Sequence, residues 1–120
     1  MTLSAKAAKA LRREQEQVSL HWAVVAKAIG KGPFVNFVLW TSAEHAAIEL
    51  ANALTKAGFQ SPVISPGRRW FRKGWYVGAA LHVPEEPAQG EILLLLERVT
   101  TLATDHEGQF AGWGAAPHWP

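Results

Sequence analysis

The sequence predicts an α+β fold, a four-stranded antiparallel sheet with two helices packed on it and a further helix in front. Three observations predict it. Apolar residues recur at helical spacing in three stretches, four intervening segments are rich in aromatic and β-branched or alternating residues, and glycine or proline punctuates the junctions. The chain has 120 residues, 48% of them apolar and 18% charged, which suits one domain with a single core between two layers.

The first helix covers residues 4–29. Leu11, Val18, Trp22, Val25 and Ile29 form one apolar stripe, while the first two turns are mostly Ala and Lys with little to bury, so the stable helix is expected to start near Leu11. Gly30, Gly32 and Pro33 end it in a turn. Residues 34–40 read as a central strand, Asn36 being its only strongly polar member. Thr41 and Glu44 have capping-box spacing for a helix over residues 42–57 that Gly58 stops.

Residues 60–64 are a short strand whose Pro62 places it at an edge, and Ser65, Pro66 and Gly67 read as the turn or bulge after it. From 75 to 83 the residues Trp75, Val77, Ala79, Leu81 and Val83 alternate with Tyr76, Gly78, Ala80 and His82, the pattern of a half-buried strand. Residues 84–87 form a linker with two acids, suited to a helix start. Ile92, Leu95, Leu96, Val99, Leu102 and Ala103 give that helix a broad apolar face up to about His106, and residues 109–115 are the last strand.

The resulting order is the split βαβ pattern of the ferredoxin-like fold, over residues 33–116, with an N-terminal helix over 1–30 and a tail over 117–120 that holds Trp119. In that fold one sheet face is left open. Trp22, Val25 and Ile29 are expected to cover it, packing on Phe34, Val38 and Trp40. Whether the chain is a monomer or a homodimer depends on whether the helix does so.

Composition excludes several function classes. Without cysteine there is no disulfide, no thiolate zinc site and no thiol redox couple, and a cytoplasmic location is expected. No apolar run approaches the roughly 18 residues of a membrane span, and the N-terminal Ala/Lys stretch lacks a signal-peptide core, so no membrane role is expected. The five histidines show no i, i+4 ligand pair, which argues against a metal. No nucleophile elbow or phosphate-cradling glycine loop is present, so no catalytic residue and no cofactor is nominated.

The formal charge of +2 names no partner, but its distribution does more. Lys6, Lys9, Arg12 and Arg13 form one acid-free basic patch and Arg68, Arg69, Arg72 and Lys73 another. The second is interleaved with Trp70, Phe71, Trp75 and Tyr76, as phosphate-contacting and base-stacking surfaces are. Arg68, Arg69, Trp70, Arg72, Lys73 and Tyr76 are therefore the candidate residues for a protein or nucleic-acid partner. The plainer reading of the same segment is a hairpin with solvated arginines and packed aromatics.

The run Leu96, Glu97, Arg98, Val99, Thr100, Thr101, Leu102, Ala103, followed by Gly108, Gln109, Phe110 and by Gly112, Trp113, Gly114, resembles the C-terminal end of the regulator of ribonuclease E activity B family. Ala53, Leu54, Gly58 and Phe59 also look like that family's Leu, Gly, aromatic junction. The resemblance implies a ferredoxin-like, non-catalytic protein that binds the endoribonuclease of bulk messenger RNA decay and lowers its activity. The family's motif has Asp where this chain has Ala111, and its known members are acidic where this chain is weakly basic. Gly108, Phe110, Gly112, Trp113 and Gly114 are expected to be structural, the glycines allowing close approach while the indole fills the core.

Overall fold

The computed structural model describes residues 3–30, 34–83 and 88–116. The expected turn at Gly32 and Pro33, the acidic linker at 84–87 and the tail at 117–120 lie outside the described residues. Eight elements follow one another: α1 (Ala5–Leu20), α2 (Trp22–Gly30), β1 (Phe34–Thr41), α3 (Glu44–Lys56), β2 (Gln60–Arg69), β3 (Arg72–His82), α4 (Gln89–Asp105) and β4 (Gly108–Ala116). The sheet order is β2-β3-β1-β4 with every neighbouring pair antiparallel, the strand order of the ferredoxin-like split βαβ fold.

Strand alternation divides the sheet's side chains between two environments. Val35, Phe37 and Leu39 of β1 and Val77 and Ala79 of β3 face α3 and α4, where they pack with Leu50, Leu54, Leu96 and Val99 in one buried cluster. Phe59 meets Phe37 edge to face, and Trp113 stacks on it at 6.2 Å between ring centroids. The other face carries Phe34, Asn36, Val38 and Trp40 on β1 opposite His82, Ala80, Gly78 and Tyr76 on β3. The Asn36 side-chain oxygen on that face is buried without a hydrogen-bond partner among the described residues.

The N-terminal segment departs from expectation in three ways. It is two helices broken at His21, not one. It begins at Ala5, because the Ser4 hydroxyl caps it by accepting from the Ala7 N–H at 3.1 Å. And it does not cover the open sheet face: α1 extends the helical layer beside α4, and in α2 Ile29, with Trp22 and Val25 packed against the same cluster, joins the core of Val35, Phe37 and Leu39, not the face that carries Phe34, Val38 and Trp40. Leu11 and Val18 join the same core as Leu96 and Val99, Gln15 Nε2 donates to the Leu93 carbonyl at 3.2 Å, and Gln89 Nε2 donates to the Ser19 hydroxyl at 3.0 Å. The Trp113 indole N–H seals this contact by donating to Glu14 Oε1 at 2.7 Å. A carboxylate acceptor strengthens the bond.

Two local expectations are also corrected. Thr41 is not a helix cap; it stays in β1, paired with both Trp75 and Gly108, and its hydroxyl donates to the Glu107 carbonyl at 3.1 Å. α3 starts later, with Ala43 as an N-cap lacking a side-chain bond. Ser65, Pro66 and Gly67 are not a turn, since β2 runs through them to Arg69. As an edge strand β2 tolerates Pro62 and Pro66, and its irregularity lies earlier, between Gln60 and Val63, where Ser61 has φ 49°.

The core reading predicts a sharp contrast between near neighbours on α4. Leu96 is 1% exposed and Leu94 57%. Leu96→Ala is expected to lower the unfolding free energy in urea titration by about 2–5 kcal/mol, and Leu94→Ala to change it by no more than about 0.5 kcal/mol.

Candidate functional site

Arg69 pairs with Arg72, so β2 and β3 are joined by a two-residue turn made of Trp70 and Phe71. Both have positive φ, 54° and 67°, the requirement of the type I′ hairpin turn that Asn-Gly normally fills. Bulky side chains in the left-handed region cost on the order of 1–3 kcal/mol each. Nothing in the domain repays that cost through burial, because Trp70 is 74% exposed and Phe71 93%.

Behind the turn stand two rungs of like charge, Arg69 opposite Arg72 and Arg68 opposite Lys73. Directly opposed like charges weaken a hairpin. By strand alternation the first pair lies on the open sheet face and the second on the reverse of the ribbon. Among the described residues the ion pairs within 4.0 Å are His45 with Glu107 and His106 with Glu49, so no carboxylate neutralises any of the four cations. Arg69 lies over the Trp70 ring, 5.6 Å from its centroid, and its Nε donates to Gln109 Oε1 at 3.3 Å.

A separate set of residues holds the hairpin to the sheet. Gly67 and Gly74 face each other across the ribbon. The Trp40 indole lies where a Gly74 side chain would be and donates its N–H to the Gly67 carbonyl at 3.1 Å. The Tyr76 ring occupies the space beside Gly67, and its hydroxyl donates to the Arg68 carbonyl at 2.9 Å. Arg72 closes the stack, 5.8 Å from the centroid of the Trp40 ring, which is only 2% exposed.

The candidate residues therefore have unequal roles. Arg68, Arg69, Trp70, Arg72 and Lys73 are together at the tip, whereas Tyr76 is engaged one turn of sheet below and serves as an anchor. The reading of packed aromatics holds for Trp75 and Tyr76 and fails for Trp70 and Phe71. Phe71 was not among the candidates, although the two-residue spacing between basic pairs could have marked it as a turn residue. Trp40 and the glycine pair were also missed, because their contact joins positions far apart in sequence.

The C-terminal motif is structural in a different way from that expected. Trp113 and Phe110 pack against the core. A side chain at Gly112 or Gly114 would meet nothing within 4 Å, so these glycines do not admit a close neighbour; only Gly108 is tightly enclosed, by the Ala103 and Trp40 carbonyls. Ala111, at the motif's Asp position, is the extra residue where the β1–β4 register shifts between Val38 and Leu39. Among the described residues no three His, Asp or Glu side chains gather as a metal site, and no helix is long and apolar enough to cross a membrane. No protein-family model and no curated protein sequence matches the chain.

Two variants separate the tip from its anchor. Replacing Trp70→Asn together with Phe71→Gly relieves the turn and is expected to stabilise the domain by at least about 1 kcal/mol, seen as a raised Tm. Gly74→Ala puts a methyl group into the Trp40 ring and the Thr41 carbonyl oxygen, and is expected to destabilise by about 1–3 kcal/mol in the same measurement.

Proposed function

We propose that this chain is a non-catalytic regulatory protein of RNA metabolism, similar in kind to the ribonuclease E regulator B proteins, which works by docking its β2–β3 tip onto an anionic macromolecule. One observation carries the reading: two exposed aromatics in a costly turn, backed by four cations with no carboxylate within 4.0 Å among the described residues. An isolated domain gains nothing from this arrangement. A partner that supplies negative charge and covers the rings removes the repulsion and the exposed apolar area together. The absence of cysteine suits work in the reducing cytoplasm.

Retention on a heparin column, as a generic polyanion, tests the location of the surface. Replacing Arg68, Arg69, Arg72 and Lys73 by Ala is expected to shift elution to much lower salt. Replacing Lys6, Lys9, Arg12 and Arg13 removes the same formal charge and is expected to shift it little. Equal shifts would mean that bulk charge, not the tip, governs binding. Calorimetric titration with the endoribonuclease from the same source addresses the partner that the family likeness implies; no heat at tens of micromolar would remove that enzyme.

A further inference from the structure

We infer that the anionic macromolecule is single-stranded nucleic acid, held by stacking of unpaired bases on Trp70 and Phe71 with flanking phosphates on Arg69 and Arg72 on one side of the ribbon and Arg68 and Lys73 on the other. This rests on the reading of the tip as the docking element and assigns its ligand class. Three features of the tip select it.

The two rings occupy the consecutive turn positions at the end of a ribbon and are 74% and 93% exposed, so a base can stack on either without a pocket. The four cations lie on both faces of that ribbon, within one or two residues of the rings, so a chain crossing the tip meets positive charge on either side of its bases. Three of the four are arginine, whose planar fork binds phosphate through paired hydrogen bonds. An acidic peptide would satisfy the charges and leave the ring faces without a flat partner.

An anionic lipid surface is the strongest competitor, since aromatics at an apex with basic residues behind also suit an interface. The position of Arg69 weighs against it. Its guanidinium sits over the Trp70 ring and is tethered through Nε to Gln109, so burial of the indole among acyl chains would draw a fixed cation down with it. A base uses the indole's opposite face and leaves the guanidinium beside the phosphate, where it is useful.

The test is fluorescence anisotropy of a labelled single-stranded oligouridine, with the same label on a duplex and on vesicles of phosphatidylserine and phosphatidylcholine. Oligouridine is expected to bind with a log–log salt slope of about −3 for four phosphate contacts, an affinity loss of about 50-fold from about 50 to about 200 mM salt. Trp70→Ala and Phe71→Ala are each expected to weaken it by about 5- to 150-fold, the effect of losing one stacked base. The Trp70→Asn, Phe71→Gly double variant should lose binding while keeping a raised Tm, so that loss cannot be ascribed to misfolding. Duplex RNA is expected to bind more weakly and to ignore the aromatic substitutions, because its base faces are already stacked.

Oligouridine binding that ignores both aromatic substitutions would overturn the inference, as would vesicle binding that depends on Trp70 and Phe71 when the oligonucleotide does not bind. In either case, heparin retention that still depends on the tip cations would leave the broader docking proposal standing. Loss of that dependence would remove the proposal and the inference together.

Discussion

The structure depends on β1, a strand that has to satisfy both of its edges and both of its faces. β3 and β4 pair with it along its whole length. On one side Val35, Phe37 and Leu39 are the floor on which α3 and α4 rest, each such burial contributing on the order of 1.5–3 kcal/mol. On the other side Trp40 reaches under the hairpin. A slip of one residue would exchange these faces and carry the Asn36 amide into the helical core, where an unpaired polar group is costly.

The same strand explains why an unfavourable hairpin can persist. Left-handed aromatics and opposed cations each cost free energy, and they occur within six consecutive residues. They are held because the ribbon directly beneath is over-determined, with the Trp40 indole and the Tyr76 ring crossing a paired glycine gap and each hydrogen-bonded to its backbone. Stability made in the core is thereby used to hold a surface that would not form that conformation alone, which is the usual relation between strain and function.

Much of this was readable in the residues. The order of strands and helices follows from apolar spacing, and simple alternation puts Trp75, Val77, Ala79, Leu81 and Val83 in one set, all of which lie in the core or pack against it. What escaped were features whose cause lies across the fold. Thr41 looked like a cap because its tertiary partner, the Glu107 carbonyl, is 66 residues away. Ser65-Pro66-Gly67 looked like a turn because local propensity cannot show that Gly67 makes room for an aromatic ring. The N-terminal stripe showed that a surface would be buried but pointed to the wrong one, the open sheet face; Leu11, Val18 and Ile29 instead join the core beside Leu96 and Val99, and Glu14 bonds Trp113 at its edge. The turn itself was hidden because Trp-Phe is among the least expected occupants of its backbone shape.

The separation of tip from anchor has an evolutionary consequence. Because Trp40, Gly67, Gly74 and Tyr76 hold the ribbon from below, the two turn residues contribute nothing to its attachment and most changes there leave the domain folded. Mutation at those positions can explore new ligands without a penalty in foldedness, as in antibody loops carried on an invariant frame. Related chains with this frame are therefore expected to agree in the anchor and to diverge at the turn, and the residues at the turn are the ones that record what each of them has been selected to bind.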